Sequence, residues 1–136
     1  MKRIFSIFLI AISFLEAGAA TVWTNVAEKG ADRTGTVKCT AVINSLIDSL
    51  ASEGGGTIYF PAGKYLTGAI VMKSNITLWL DAGSVILFSD DFDDYLPMVP
   101  SRWEDVRVKN FRSQIYAYQC ENIAIRGGGH LEGQGK

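Results

Sequence analysis

Hydrophobic and polar positions predict one amphipathic helix in the first half of the chain. Between Thr36 and Ser52 the apolar residues recur at steps of three and four, which places them on one face of a helix. The residues on this face are Cys39, Val42, Ile43, Leu46, Ile47 and Leu50. Residues 54–56 are all glycine, and glycine readily adopts the left-handed conformation that ends helices. We therefore expect the helix to end there, and a charge at Leu46 to destabilise the fold.

After these glycines the pattern changes to short strands. Brief runs of β-branched and aromatic residues are interrupted by turn residues, and no helical period returns. The predicted strands are residues 57–60, 66–72, 76–80, 85–88, 115–118 and 123–125. The chain has 14 glycines and only 3 prolines, which suits strands joined by tight turns better than a helical bundle.

Two sequence patterns repeat along the predicted strands. A small residue, glycine, any residue and an apolar residue occur at 62–65, 82–85 and 128–131. The glycines are 20 and then 46 residues apart, the second gap being close to twice 23, and the Asn-Ile pair at 75–76 recurs at 122–123. A period in the low twenties predicts a solenoid of stacked coils. An ordinary β-sandwich with coincidental turns is the alternative.

The first 19 residues have the layout of a secretory signal peptide. A positive start at residues 2–3 precedes a largely apolar stretch at 4–15, and Ala17-Gly18-Ala19 provides a small-x-small cleavage pattern. The apolar stretch is too short to span a bilayer, although an uncleaved anchor is an alternative. We expect a mature chain of residues 20–136 in a secreted or periplasmic location.

Composition and charge exclude several classes of protein. The chain has 136 residues, enough for one domain, with 48% hydrophobic and 20% charged residues, so it is not a disordered tail. The formal net charge of −1 gives no electrostatic argument for nucleic acid or, after removal of the signal peptide, for a membrane surface. Cys39 and Cys120 are too few for a disulfide scaffold or a zinc site. Cys39 is interpreted as a core residue, with a disulfide to Cys120 or a reactive thiol as alternatives.

The strand segments resemble a known family of β-helical enzymes. Residues 54–91 (GGGTIYFPAGKYLTGAIVMKSNITLWLDAGSVILFSDD) and 115–136 (IYAYQCENIAIRGGGHLEGQGK) are similar to the N-terminal coils of polygalacturonases, glycoside hydrolase family 28. The resemblance extends over about residues 24–136. It implies an all-β fold, a right-handed parallel β-helix whose N-terminal α-helix caps the first coil. Residues 20–136 are then expected to be an incomplete β-helix domain, truncated after its first coils, marginally stable and prone to aggregation.

One segment departs from the family pattern. Where the family usually carries GAxGDGxTxDT, residues 30–36 read GADRTGT, without the GDG triplet or the later acid. Polar residues of this segment are expected to cap the helix, with Thr34 or Thr36 as the N-cap residue.

The resemblance also implies a function. Members of the family hydrolyse galacturonide linkages in pectin with inversion, which requires two suitably spaced carboxyl groups. The family's four catalytic motifs, NTD, DD, GHG and RIK, lie further along its chains than the coils matched here. No catalytic residue is therefore assigned, and the chain alone is expected to be inactive. The expected partner is a pectic polysaccharide, with no cofactor, no metal and a monomeric full-length protein. The alternatives are a non-catalytic carbohydrate-binding β-helix or a pectate lyase or epimerase.

Arg102 and Trp103 are the candidate substrate-binding residues. They lie in the insertion at residues 96–114 together with the basic residues Arg107, Lys109 and Arg112. An aromatic ring and neighbouring cations suit an acidic sugar chain, through stacking and charge-assisted contacts with carboxylates. A packed tryptophan and a solvated charged face are the alternative.

Three further features receive structural interpretations. The acidic stretch 90–94 lacks the ligand spacing of a calcium loop and resembles the family's SDDxxDY segment, so we expect a solvated loop away from a polyuronate. His130, the only histidine, is expected to be a surface or stacking residue. Glu132 stands where the family has an aspartate in a DGQG turn, so we expect it to stabilise that turn.

Overall fold

The computed structural model describes residues 22–135. The signal peptide expected at residues 1–19 lies outside this range. None of the helices within residues 22–135 is long and apolar enough to cross a membrane.

Parallel stacking organises most of the strands. Sheet A contains four parallel strands in the order β1, β2, β5 and β10, with Thr57 opposite Thr77 and Thr77 opposite Ala124. Each strand therefore lies directly above its counterpart from an earlier part of the chain. The bounds of these strands are β1 Trp23–Asn25, β2 Gly56–Phe60, β5 Ile76–Leu80 and β10 Ala124–Gly127.

Two smaller parallel sheets complete the walls of the solenoid. Sheet B has the order β11, β6, β3, and sheet C pairs β4 with β9. The predicted strand 66–72 is divided between these sheets, because the chain turns a corner at Gly68 and Ala69. The bounds are β3 Gly63–Thr67, β4 Ile70–Val71, β6 Ser84–Phe88, β9 Ile115–Tyr116 and β11 His130–Glu132.

The chain passes through sheets A, B and C in turn, so the fold is the parallel β-helix that the repeats predicted. The first complete coil runs through β2, β3 and β4, the second through β5, β6 and β9, and the third begins with β10 and β11. The longer of the two intervals between the repeated glycines corresponds to a single coil, which is enlarged between β6 and β9. Our interpretation of this interval as two coils was wrong. The alignment of the glycines was also wrong by one residue, because Gly63 pairs with Ser84 instead of Gly83.

Inward-facing apolar residues of successive coils form the core. Ile58 lies opposite Leu78 in sheet A, and Tyr65 lies opposite Ile86 in sheet B, all of them fully buried. The corresponding residues of the third coil, Ile125 and Leu131, are 42% and 46% exposed. Within residues 22–135, the core is therefore open at the end formed by the third coil.

Helix α1 (Thr40–Ser52) covers the opposite end of the core, as expected. Ile43, Ile47 and Leu50 are buried among the first-coil side chains, whereas Val42 and Leu46 pack at the margin. The end of the helix was predicted correctly. The amides of Gly54 and Gly55 donate to the carbonyls of Ala51 and Leu50, and both glycines have positive φ.

Side chains of α1 also satisfy the exposed backbone of the first coil. Among the described residues, sheet C pairs β4 with β9 only, so the other edge of β4 has no strand partner there. The Asn44 side chain donates to the carbonyl of Ala69 at 3.0 Å and accepts from the amide of Val71 at 2.9 Å. Thr40, one turn earlier, accepts from the amide of Gly68 at 2.8 Å. The helix thus blocks further strand pairing at this edge.

Asn44→Ala should lower the free energy of unfolding by about 2 kcal/mol, since it leaves a backbone donor and acceptor without partners. Ser45→Ala, an exposed neighbour in the same helix, should change it by less than about 0.5 kcal/mol. Urea denaturation of both variants measures the difference. Equal midpoints would show that the Asn44 contacts do not stabilise the cap.

The loop before α1 corrects the predicted cap. The helix begins at Thr40, and the N-cap residue is Cys39, which makes no side-chain capping bond. The Thr34 hydroxyl instead donates to the Asp32 carboxylate at 2.8 Å, and the amides of Thr36 and Val37 donate to the same carboxylate, each at 3.1 Å. Neither threonine caps the helix, because both are engaged in this loop around Asp32.

Acid should destabilise the Asp32 loop. The hydrogen bonds from Val37, Thr34 and Thr36 lower the pKa of Asp32 from 3.8 to about 2. A lowered pKa in the folded state stabilises the fold above the ordinary pKa, and this contribution is lost as the pH falls through about 2. Between about pH 5 and about pH 2, the melting midpoint of the wild type should fall further than that of Asp32→Asn. Parallel pH profiles would contradict this assignment.

The corner before sheet A stacks three residues with positive φ. Gly55, Asn75 and Asn122 have φ of 116°, 66° and 55°, and occupy equivalent positions in successive coils. The Asn122 side-chain amide donates to the Asn75 side-chain oxygen at 2.9 Å. The Asn-Ile repeat noted in the sequence is therefore the recurrence of this corner, where asparagine tolerates the left-handed conformation.

The insertion in the second coil folds into a hairpin that was not predicted. Strands β7 (Val99–Trp103) and β8 (Val106–Asn110) pair antiparallel around a two-residue turn, in which Glu104 has φ of 53°. The alternating Val106-Arg107-Val108-Lys109 was the available signal. Pro100 and the absence of Asn-Gly or Asp-Gly at the turn obscured it.

Candidate functional site: a cleft beside the second-coil insertion

A cleft of about 440 Å³ lies at the corner that follows sheet B. Residues 89–90, which follow β6, and residues 133–135, which follow β11, form one part of its lining. The insertion supplies the remainder. The parallel pairing of β6 with β11 places these two turns in neighbouring coils, so the cleft lies where the enlarged coil meets the next one.

Aromatic side chains of the insertion form one wall of the cleft. Phe92 and Phe111 pack with their ring centroids 5.5 Å apart, and Phe92 is 70% exposed. Tyr95 is nearly buried, and its hydroxyl donates to the carbonyl of Ser89 at 2.6 Å. This hydroxyl contact ties the wall to the end of β6. An exposed ring beside a fixed polar frame suits stacking against the apolar face of a sugar.

Amide side chains hold the opposite wall in place. The Gln134 amide nitrogen donates to the carbonyl of Phe88 at 2.8 Å, and that of Gln114 donates to the carbonyl of Gly133 at 3.0 Å. Arg112 lines the same cleft and donates through Nη2 to the carbonyl of Leu96, while its buried Nε has no partner within residues 22–135. The wall therefore presents hydrogen-bonding groups together with a positive charge.

The acidic stretch is mainly structural, but one of its residues reaches the cleft. Asp91 accepts from the amide of Asp93 and caps a short 3-10 turn at Phe92–Tyr95. Lys38 Nζ lies 2.6 Å from the Asp94 carboxylate. Burial alone would raise the pKa of Asp94, but hydrogen bonds from Lys38 and Ser89 outweigh it and lower the pKa. Asp90 lines the cleft, so the expected separation of these acids from the candidate site does not hold for it.

The structure separates the two candidate substrate-binding residues. Arg102 pairs with Arg107 across the hairpin and Trp103 pairs with Val106, and neighbouring pairs of an antiparallel ladder point to opposite faces. Arg102 therefore shares a face with other cations, whereas Trp103, which is 69% exposed, belongs to an apolar face. The two residues do not form the single platform that their adjacency in sequence suggested.

His130 and Glu132 both lie on the outer side of β11. They pair with Val85 and Leu87, while Leu131 between them pairs with the core residue Ile86. His130 is exposed, as expected. A Glu132 carboxylate oxygen accepts from the amide of Gln134 at 3.0 Å, which confirms its predicted role in the turn.

Both cysteines are free thiols in the structure, so the disulfide alternative is not realised. Cys39 is buried in the core, and burial raises the pKa of its thiol to about 11. Such a thiol carries little thiolate at neutral pH and is poorly reactive, which agrees with its interpretation as a core residue. Within residues 22–135, no three His, Cys, Asp or Glu side chains are grouped so that they could hold a metal ion.

Sequence reasoning missed most of the cleft. Phe92, Phe111 and Gln134 are far apart in sequence. They meet only because the insertion returns to the β-helix beside the third coil. The GQG string at residues 133–135 was noted only as a turn. Arg112 is the one cleft residue that had been singled out as a basic candidate.

Comparisons with known proteins agree with this architecture. A family profile described as rhamnogalacturonase A/epimerase, pectate lyase-like, matches residues 23–126. The fold and the match together define a parallel β-helix of the pectate lyase-like class. The chain belongs to this rhamnogalacturonase A/epimerase, pectate lyase-like family.

Individual relatives confirm the resemblance to family 28. An exo-poly-α-D-galacturonosidase of Dickeya chrysanthemi is 34% identical over 118 residues, which are 82% of this chain and 19% of the relative. An exopolygalacturonase of Thermotoga maritima matches with a TM-score of 0.79 and 36% identity, over 85% of this chain and 26% of that structure. A family 28 exopolygalacturonase of Yersinia enterocolitica matches with a TM-score of 0.76 and 33% identity, over 86% of this chain and 22% of that structure. The chain spans at most about a fifth of the length of the curated relatives it matches.

Proposed function

We propose that these coils are the N-terminal part of a secreted or periplasmic glycosidase that hydrolyses galacturonide linkages in pectin. The observation that carries the proposal is the similarity to the structure of an exopolygalacturonase, which covers 85% of this chain. In this proposal residues 1–19 direct export and residues 20–136 begin the β-helix. The full-length protein acts as a monomer on a pectic polysaccharide.

The open end of the core supports the continuation of the β-helix. Ile125 and Leu131 occupy core positions, yet their side chains are about half exposed in the third coil. Further coils stacked on this face would bury them, as the third coil covers Leu78 and Ile86 of the second. The paired carboxyl groups that inversion requires would then be supplied by those coils.

The proposed role of the described coils is to shape one end of the substrate groove. The cleft offers an exposed aromatic ring, fixed amide groups and the Arg112 guanidinium, which are groups suited to a uronic acid ring and its carboxylate. Asp90 adds one carboxylate to the same lining. A single carboxyl group does not supply the acid and base pair that hydrolysis uses.

Product analysis with the protein that contains these coils tests the proposal. Incubation with polygalacturonate should release saturated galacturonate with inverted anomeric configuration. Proton NMR measures the configuration of the product as it forms. Unsaturated uronates would identify a lyase, altered sugar stereochemistry without cleavage an epimerase, and unchanged polymer a non-catalytic protein, and each result would overturn the proposal. The 136-residue chain alone should release no reducing ends.

A further inference from the structure

We propose that the hairpin β7–β8 binds the carboxylates of an acidic polysaccharide through one cationic face. The register places Arg102 opposite Arg107 and Pro100 opposite Lys109, and these pairs point to the same side of the hairpin. All three basic residues are exposed. A hollow of about 490 Å³ lies against them. The choice of a polyuronate as the ligand rests on the proposed function.

The arrangement of charges on this face of the hairpin favours an anionic partner. Two like charges directly opposite each other in an antiparallel ladder destabilise it. The ion pairs within residues 22–135 both belong to Lys38, so no described carboxylate is paired with Arg102, Arg107 or Lys109. The three cations therefore share one face without an ion pair, while the acidic Glu104 and Asp105 lie at the hairpin turn. A bound carboxylate would relieve the repulsion between the cations.

The geometry suits a polymer with regularly spaced carboxylates. Opposite residues of the hairpin lie about 5 Å apart, and alternate residues of one strand lie about 7 Å apart, so the three basic residues form a compact triangle. Arginine can bind each carboxylate through two parallel hydrogen bonds. A polyuronate can place several carboxylates on this cluster at once, whereas a single uronic acid places one.

The attraction is local to the hairpin. The whole chain has a formal net charge of −1, so its overall field does not favour a polyanion. The opposite face of the hairpin carries Trp103 and Val106, which are 69% and 63% exposed and uncharged. Binding through the cationic face should therefore weaken with added salt, and should be insensitive to the removal of Trp103.

Affinity electrophoresis of the 136-residue chain in gels that contain polygalacturonate tests the inference. The wild type should be retarded, and Arg102→Gln/Arg107→Gln should bind at least about tenfold more weakly, as expected for the loss of charge-assisted hydrogen bonds. Lys29→Gln/Lys73→Gln removes the same net charge from exposed sites elsewhere and should bind within about twofold of the wild type. Circular dichroism spectra establish that each variant is folded.

Ligand controls separate this inference from the proposed function. Fully methyl-esterified pectin lacks the carboxylates and should not retard the chain. Equal retardation of both double variants, a loss of binding in Trp103→Ala, or retardation by DNA but not by polygalacturonate would each overturn the cationic site. Galacturonan cleavage by the protein that contains these coils could still be observed in all three cases, so the two proposals fail independently.

Discussion

Ile47→Asp should lower the free energy of unfolding by about 4 kcal/mol, through loss of the buried side chain and desolvation of a carboxylate. Ile47 is fully buried at the centre of the contact between α1 and the first coil. Ile47 belongs to a cluster of buried hydrophobic side chains, which offer no partner for a new carboxylate. Thermal or urea unfolding followed by circular dichroism measures the loss, which we expect to unfold much of the protein at 37 °C.

Leu46→Asp is the matched control for this substitution. Leu46 precedes Ile47 on the same turn but is only half-buried, so a carboxylate there remains partly hydrated. We expect a cost of about 1 kcal/mol, smaller than the sequence pattern alone suggested. Equal losses in the two variants would contradict the orientation of α1 on the core.

Gly55→Ala should lower the free energy of unfolding by about 3 kcal/mol, through backbone strain and overpacking. Gly55 has φ of 116°, and a Cβ atom there would lie 2.4 Å from the carbonyl oxygen of Asn75 in the next coil. That oxygen also accepts the amide of Gly56 at 3.0 Å, so it cannot move away without breaking the stack. The melting midpoint and the urea midpoint report the loss.

The Gly54→Ala variant separates the cost of backbone strain from the cost of overpacking. Gly54 has a similar φ of 102°, but a Cβ atom there would meet nothing within 4 Å. It should therefore cost only the backbone strain, about 1 kcal/mol. If both variants lost the same stability, the close approach of the first two coils at this corner would be wrong.

The elements that depend on local patterns could be predicted from the sequence. The apolar steps of α1, the glycines that end it and the run of β5 at Ile76–Leu80 all agree with the structure. Each depends on side-chain periodicity or on glycine conformation within a few residues. The Asn-Ile repeat also located the corner of two coils, because asparagine is needed there for a local backbone reason.

The elements that depend on tertiary context could not be predicted from the sequence. β1 is only three residues long and exists because it pairs with β2, from which α1 separates it in sequence. The N-cap prediction failed because Asp32 engages both threonines before the helix begins. The cationic face requires the register of the hairpin, and the cleft requires the return of the insertion beside the third coil. Residue spacing provided neither, because the hairpin itself was not recognised.

The size of the second coil determines where the candidate sites lie. If the interval from Thr77 to Ala124 is one coil, residues 89–114 project from the solenoid and carry the cleft wall and the cationic face. If it were two coils of 23 residues, position 100 would stack on Thr77 and neither site would exist. The proposed function and the further inference both depend on the first arrangement.

Disulfide trapping distinguishes these arrangements most directly. In a Cys120→Ser background, Thr77→Cys/Ala124→Cys should cross-link, since partners of this kind lie within the range of Cα separations that a disulfide spans, about 4.4–6.8 Å. The buried Cys39 thiol, with its pKa raised to about 11, should not interfere. We expect a cross-linked peptide for this pair by mass spectrometry and none for Thr77→Cys/Pro100→Cys. The reverse result would show that the interval holds two coils.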